Sequence, residues 1–362
     1  MPVWRSGCSD GGPSAISTRW RGITGRSSPR RWRGRRGRPV FRRDFLAAVL
    51  AGLAGGAAAG PERRVRPRSF GVQYWGRDFT AALLSAAPHD LLIVEASVAD
   101  ADRETGRRER RFSASEVRAM RRGGARPVLA YLNLGEVEPW RDHWVERGAA
   151  WIAGVSPTGE RLAPYWDPDW ARMLKARLDV LLALGFDGAL LDDALHYWTW
   201  GAGLARVSPR WRGPRPPSGA PAAARAMLGL TLDLADHARR RSALARADFA
   251  LVVNNGVFLG DDAAADGAPG AEALFARHRA AMDAILVESA LARSDEAALG
   301  ALARVWRGAG APVLAVEFAS EARAADPAAF RRRIAREAEC RGFAVYVADD
   351  PRFDRLYPPV VL

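Results

Sequence analysis

Cysteine and histidine are scarce in this sequence, which argues against several kinds of site. The 362 residues include two cysteines, Cys8 and Cys340, and five scattered histidines. No CxxC, HExxH or P-loop pattern occurs, so we expect no zinc site and no cofactor. Because Cys8 lies in an N-terminal leader, we expect a mature chain without an internal disulfide.

Long apolar runs and an even spread of charge are also absent. The apolar run over residues 47–59 is well below the roughly 20 residues that span a bilayer, so no stable membrane anchor is expected. The net charge is +13, but residues 1–60 hold 12 Arg against two Asp and account for +10 of it. The rest shows no basic stripe interleaved with aromatics, so we expect no nucleic-acid partner.

Residues 1–60 have the features of an export leader. Residues 1–39 are rich in Arg, Gly and Ser and are predicted to be disordered. Paired Arg42 and Arg43, a Phe45-Leu46 step and the short apolar run resemble a twin-arginine signal peptide, with cleavage near Ala59. We therefore expect export to the periplasm or the exterior by the twin-arginine machinery, and a short anchor is the alternative. Residues 61–69 are interpreted as a linker and residues 70–362 as one domain, expected to be a monomer.

Apolar strand patterns alternate with helical patterns along that domain, which predicts an α/β fold. The predicted strands are Phe70–Trp75, Leu91–Ala96, Pro127–Leu134, Ala189–Asp192, Phe249–Asn254, Ala284–Glu288, Pro312–Glu317 and Phe343–Val347. Eight such strands favour a (β/α)8 TIM barrel over an open doubly wound sheet. Two long connections, 135–169 and 199–219, leave carboxyl ends of strands and should form walls or lids over the barrel mouth.

Polar residues follow most of these strands where a barrel carries its chemistry. Asp192 ends a strand beside an aromatic group and is the first site candidate, although it could simply cap the next helix. The full set of candidates is Tyr74, Trp75, Glu95, Asn133, Glu136, Asp192, Asp193, Tyr197, Asn254, Glu288, Glu317 and Tyr346. Carboxylates, amides and aromatic rings together suit a polysaccharide substrate. The alternatives are a carbohydrate-binding barrel without catalysis and, less favoured, a hydrolase with a hard cation on Asp192, Asp193 and Glu288.

Several short motifs in order resemble one known family, glycoside hydrolase family 114, the endo-α-1,4-polygalactosaminidases and their relatives. The matching pieces are Tyr74-Trp75-Gly76, Tyr131 to Glu138 with Arg141 and Trp144, Tyr165 to Trp170, Gly185 to Asp192, Asn254-Asn255-Gly256, Leu286-Val287-Glu288 and Gly342 to Val347. The resemblance implies a TIM barrel that cleaves α-1,4-linked galactosamine polymers.

The same resemblance implies roles for individual residues. Asp192 would be the nucleophile and Glu288 the acid/base, with their carboxyl groups about 5–5.5 Å apart as in retaining enzymes. Glu136, Glu95 and Glu317 could attract a cationic amino sugar. The sequence departs from the family at Leu195, where relatives often carry Asp, and at Glu95 and Glu317, where relatives more often show Asp.

Overall fold

The computed structural model describes residues 65–98, 110–139, 141, 147–245 and 248–360. All of them belong to one compact unit, Arg63–Leu362. The predicted leader, its twin-arginine signal, the cleavage position near Ala59 and the family-motif residue Trp144 lie outside the described residues.

Eight parallel strands form a nearly closed barrel, as predicted. They are β1 (Phe70–Gln73), β2 (Leu91–Val94), β3 (Val128–Asn133), β4 (Gly188–Asp192), β5 (Ala250–Asn254), β6 (Ala284–Glu288), β7 (Val313–Phe318) and β8 (Ala344–Ala348). Each pairs with the next in sequence order. The Tyr346 hydroxyl on β8 donates a hydrogen bond to the Val72 carbonyl on β1 at 3.1 Å, which ties the last strand to the first.

Helices pack around the barrel between these strands. They are α1 (Ala81–Ala86), α2 (Ala114–Met120), α3 (Pro168–Leu184), α4 (His196–Gly201), α5 (Ala220–Ala245), α6 (Leu259–Ala264), α7 (Ala271–Ala281), α8 (Glu296–Ala301) and α9 (Pro327–Arg341). Among the described residues, no helix has the length and apolarity needed to cross a membrane.

Strand β4 shows why the sequence forms these two apolar layers. Leu190 packs inside the barrel, whereas its neighbours Ala189 and Leu191 pack outward against the helices. A side chain alternates between faces along a strand, so a strand buried on both faces is apolar throughout. Gly188 is required at the start because a Cβ there would collide with the Ala250 carbonyl of β5.

The two long connections pair with each other. Short strands Gly154–Val155, Arg161–Leu162 and Arg206–Val207 form a three-stranded antiparallel sheet that joins the connection after β3 to the one after β4. Helix α3 begins at Pro168, because the Asp167 side chain caps it and proline suits the first turn of a helix. Trp170 on α3 packs edge-to-face on Trp151 at 5.2 Å, and both are fully buried.

Candidate active site

Three neighbouring strands each end in a polar residue at the barrel mouth, and each is followed by a residue with left-handed backbone. Asp192, Asn254 and Glu288 are the last residues of β4, β5 and β6. The residue that follows each of them has a left-handed backbone, with φ of 59° at Asp193, 59° at Asn255 and 58° at Ser289. Left-handed backbone at residues other than glycine is costly and persists only where the surroundings hold it, as in many functional sites.

Asn254 joins the two carboxylates that the family resemblance singles out. Its Nδ2 group donates to Asp192 Oδ1 at 2.5 Å and to Glu288 Oε1 at 3.0 Å. Because both oxygens bind one nitrogen, they cannot lie farther apart than the sum of these distances, about 5.5 Å. An upper limit of that size on one pair of oxygens is compatible with the carboxyl separation of about 5–5.5 Å in retaining glycosidases.

Hydrogen-bond donors favour the ionised form of Asp192. Besides Asn254, its carboxylate accepts a bond from the Asp193 backbone N–H at 2.7 Å, and the nearby Tyr131 hydroxyl also lowers its pKa. On the carboxylate of Glu288 the structure shows only the Asn254 donor among the described residues. Bonds to a charged carboxylate stabilise that charge, so a proton shared within the pair resides preferentially on Glu288.

The environment raises the pKa of both carboxyl groups. Burial is the main cause for Glu288, the negative charge of Asp192 adds to it, and its pKa rises to about 7. Burial also raises the pKa of Asp192, while its bonds from Asn254 and the Asp193 N–H, with the nearby Tyr131 hydroxyl, oppose that effect. Both side chains are partly exposed to solvent at the mouth, yet protein surrounds their carboxyl groups. One carboxyl that keeps its proton beside one that ionises is the arrangement an acid/base and nucleophile pair requires.

Asn133 organises the neighbouring acidic group. Its Nδ2 group donates to Asp193 Oδ2 at 2.6 Å and to the Tyr131 hydroxyl at 3.1 Å. Its Oδ1 atom accepts the backbone N–H of Gly135 at 2.9 Å and of Glu136 at 2.8 Å, which fixes the start of the loop after β3. One amide therefore positions groups from two strand ends.

Glu136, Asp193 and His196 form a cluster that could bind a cation. His196 Nε2 lies 2.9 Å from Glu136 Oε1 and 4.0 Å from Asp193 Oδ1. One ligand atom from each residue lies within 4.8 Å of the others. Burial and the charges of Asp192, Glu136 and Glu138 raise the pKa of Asp193 well above its ordinary value. These effects favour the protonated form of Asp193, and a metal ion or a protonated amine bound in the cluster would favour its ionised form.

Tyr74 lies near the Asp192 and Glu288 carboxyl groups, and Trp75 is the more exposed of these two neighbouring aromatic residues. The Tyr74 ring contacts the Tyr131 ring at 4.7 Å between centroids. Burial and then the charges of Asp192 and Glu288 raise the pKa of the Tyr74 hydroxyl well above its ordinary range. Trp75 is 37% exposed, and its Nε1 donates to the Arg352 carbonyl at 2.7 Å. A fixed, exposed indole at a barrel mouth could stack on a sugar ring.

Glu95 is neutralised within the protein. Its Oε2 atom forms a buried ion pair with Arg141 at 2.6 Å, and Arg141 also binds Glu138 at 2.6 Å. The Arg141 guanidinium lies 5.3 Å from the centre of the Tyr131 ring. Glu95 therefore contributes to the walls of the site through this ion pair rather than as a free charge.

Three other candidates are buried within the protein. Tyr197 is buried and donates to Asp262 Oδ2 at 2.8 Å. Tyr346 is buried in the barrel interior, where its hydroxyl also accepts the Tyr357 N–H at 3.0 Å. Glu317 faces the outer layer, because the inward positions of β7 are Leu314, Val316 and Phe318.

Sequence reasoning singled out neither Tyr131 nor Arg141 as a site residue. Tyr131 precedes Asn133 by two residues, so the alternation of β3 places both on the inward face. That spacing was a usable signal. The Arg141–Glu95 ion pair joins residues 46 positions apart, and no pattern of spacing predicts it.

The family match covers most of the chain. The model of glycoside-hydrolase family GH114 matches residues 63–357. A protein of Deinococcus radiodurans is 29% identical over 290 residues, which is 75% of this chain and 80% of that protein.

Solved structures share the barrel fold. Aspergillus fumigatus Ega3, in a complex with galactosamine, has a TM-score of 0.56 at 12% identity, covering 84% of this chain and 100% of that one. The glycoside hydrolase domain of PelA from Pseudomonas aeruginosa has a TM-score of 0.50 at 19% identity, covering 82% of this chain and 98% of that domain. The family match confirms what the motifs predicted: the chain belongs to glycoside-hydrolase family GH114 and is a glycoside hydrolase.

Proposed function

We propose that this glycoside hydrolase cleaves an α-1,4-linked amino-sugar polysaccharide with retention of configuration, using Asp192 as nucleophile and Glu288 as acid/base. The observation that carries the proposal is the Asn254 amide, which holds the two carboxylate oxygens within about 5.5 Å of each other. The reaction that we propose requires no cofactor.

In the first step, Glu288 gives its proton to the glycosidic oxygen while the Asp192 carboxylate attacks the anomeric carbon. The bond from that carbon to the leaving oxygen breaks, and a glycosyl ester forms on Asp192. In the second step, Glu288 takes a proton from water, whose oxygen attacks the same carbon. Asp192 leaves as a carboxylate, and Glu288 is protonated again for the next cycle.

The Glu136–Asp193–His196 cluster supports an amino sugar as the substrate. An ammonium group placed there would meet the carboxyl groups of Glu136 and Asp193, and its positive charge would favour the ionised form of Asp193. The similarity to Ega3, which was solved with galactosamine, points to the same class of ligand. Trp75 would stack on an adjoining sugar ring. Tyr74, Asn133 and Asn254 would line the same site.

We also propose where the protein acts and in which oligomeric state. The twin-arginine pattern at Arg42 and Arg43 supports export of the folded chain to meet an external polysaccharide, after cleavage near Ala59. We propose that the exported enzyme acts as a monomer.

The test is product release from a partially deacetylated α-1,4-linked galactosamine polymer by the purified chain. Asp192→Asn should abolish release, and Glu288→Gln should reduce it by about 10²–10⁴-fold. Asp187→Asn is the matched control, because Asp187 lies just before β4 and its carboxylate accepts the Val128 N–H at 2.9 Å, far from the mouth. That variant should keep parental activity per folded molecule.

Two further readouts separate the parts of the proposal. Proton NMR of the first products should show the α anomer, and a β anomer would refute the retaining assignment. A fully N-acetylated polymer should be cleaved more slowly than the deacetylated one, and equal rates would refute the role of the amino group. Full activity in Asp192→Asn would refute the assignment of the nucleophile.

A further inference from the structure

The segment that follows Glu288 is held by two carboxylates, those of Glu317 and Glu321. This segment, residues 289–294, joins β6 to the start of α8. Glu317 is 0% exposed, its Oε1 accepts the Leu291 N–H at 3.0 Å, and its Oε2 accepts the Ala292 N–H at 2.7 Å. A single buried carboxylate thus satisfies two consecutive backbone donors, one with each oxygen.

Glu321 binds the same segment through side chains. Its Oε2 atom accepts the Ser289 hydroxyl at 2.7 Å and Arg293 Nη2 at 2.5 Å. Ser289 and Arg293 are the first and fifth residues of the segment, and the Arg293 N–H also donates to the Ser289 carbonyl at 3.1 Å. The segment is therefore held near both ends and in its middle.

Ser289 connects this segment to Glu288. It follows Glu288 directly and has a left-handed backbone with φ of 58°. Such a conformation costs a serine on the order of 1 kcal/mol or more, so it relaxes unless neighbouring groups maintain it. Its N–H donates to the Val316 carbonyl of β7 at 2.8 Å, and Val316 pairs in register with Glu288.

We propose that Glu317 is a positioning residue for Glu288: by binding the Leu291 and Ala292 N–H groups, and with Glu321 holding Ser289, it fixes the backbone turn that aims the Glu288 carboxyl at Asn254 and Asp192. This inference rests on the proposed role of Glu288 as the acid/base. It assigns Glu317 no contact with the substrate, in keeping with its outward position on β7.

Glu317→Gln is the direct test. A glutamine has one acceptor oxygen, so one of the two backbone donors loses its partner and meets an NH2 group instead. We expect kcat to fall by about 10- to 100-fold, because small misplacements of a catalytic group carry costs of that order. KM should stay within about twofold of the parent, since Glu317 does not touch the substrate. Glu317→Asp keeps a carboxylate and should recover part of the lost kcat.

Asp283→Asn is the matched control. Asp283 is also buried and accepts a backbone N–H, that of Leu251 at 3.0 Å, but it precedes β6 at the opposite end of the same strand. Its variant should lose a similar amount of stability to chemical denaturation and keep kcat within about twofold. A purely structural role for Glu317 would give the two variants the same activity per folded molecule, and that result would overturn the proposal.

A readout without substrate separates this inference from the proposed function. Carbon-13 NMR follows the Glu288 carboxyl titration, assigned by its loss in Glu288→Gln. Parent and Asp283→Asn should titrate alike, whereas in Glu317→Gln the Glu288 pKa should fall from about 7 towards its ordinary value as the turn loosens and water enters. An unchanged titration overturns the positioning role even if no polymer is cleaved. A changed titration in an enzyme inactive on every polymer refutes the proposed function alone.

Ser289→Ala provides a second variant in case Glu317→Gln does not fold. It removes only the hydroxyl that binds Glu321 and leaves the buried Glu317 contacts in place. We expect a fall in kcat of about threefold to tenfold and a fall in the Glu288 pKa, in line with the loss of one hydrogen bond to a charged group. Parental values of both quantities would overturn the proposal.

Discussion

The Tyr131 hydroxyl lies close enough to the carboxylate of Asp192 to lower its pKa. The same hydroxyl accepts a bond from Asn133 Nδ2 at 3.1 Å, so its own proton remains available for Asp192. Contacts with Tyr74 and with the Arg141 guanidinium hold the ring from two sides. Tyr131 therefore favours the charged form of Asp192, the proposed nucleophile.

Replacement of Tyr131 by Phe should make Asp192 harder to ionise. The Tyr131 hydroxyl lowers the Asp192 pKa, so its removal should raise that pKa and shift the acidic limb of the kcat/KM profile to higher pH. A hydrogen bond to a charged group is worth about 1.5–3 kcal/mol, which corresponds to a loss of roughly 10- to 100-fold in kcat/KM below the shifted pKa. The measurement is kcat/KM against pH.

Tyr165→Phe is the control for this prediction. Tyr165 is also buried, and its hydroxyl donates to the Ala223 carbonyl at 3.2 Å, away from the catalytic pair. Its variant should lose comparable stability and keep the parental pH profile. If both variants show the parental acidic limb, the Tyr131 hydroxyl does not control the ionisation of Asp192.

The charge of Asp192 should be measurable as a shift in the titration of Glu288. The Glu288 pKa of about 7 rests on burial first and on the Asp192 charge second. Glu288 must be protonated to act as an acid, so activity should fall as pH rises through about 7. Asp192→Asn removes the negative charge, and the Glu288 pKa followed by carbon-13 NMR should then fall. Asp187→Asn should leave it unchanged, and an equal shift in both variants would contradict the coupling.

The barrel and much of the candidate site could be predicted from the sequence, because both follow from local pattern. Strands buried on both faces are continuously apolar, and the eight predicted strands match the observed ones within about two residues at each end. Polar residues at the ends of such strands meet at one mouth, so Asp192, Asn254 and Glu288 could be grouped before their geometry was known.

The direction and pairing of individual side chains were harder to predict. Glu317 was counted among the site candidates because it ends a predicted strand. It follows Val316 on β7, however, and the alternation of side chains puts it on the outer face, opposite to Val316. The pairing of Tyr197 with Asp262 and of Glu95 with Arg141 depends on how distant segments pack. Sequence composition identifies a set of polar residues near a site, whereas tertiary contacts decide which of them remain free for a ligand.

His278 should make the folded state sensitive to acid. Its side chain is 1% exposed on α7, and its Nδ1 lies 2.8 Å from the Thr231 hydroxyl. Burial, with a smaller effect of the Arg279 charge, lowers its pKa from 6.5 to about 3. Below pH 6.5 the unfolded chain binds a proton that the folded chain does not. The free energy of unfolding should therefore decrease as pH falls below about 6.5, by about 1.4 kcal/mol per pH unit.

The measurement is the free energy of unfolding of the parent and of His278→Asn, from chemical denaturation at pH 7 and pH 5. Asparagine can keep a bond to Thr231 but does not titrate, so the advantage of the parent should shrink by about 2 kcal/mol between these values. Glu317→Gln is the control, because the difference in unfolding free energy between the parent and this variant should change with pH in the opposite direction. The Glu317 pKa is raised by burial to about 7, so the stability contributed by its protonated form is lost as pH rises through that value. If the free energy of unfolding has the same pH dependence in the parent and in His278→Asn, then His278 does not remain neutral in the folded state.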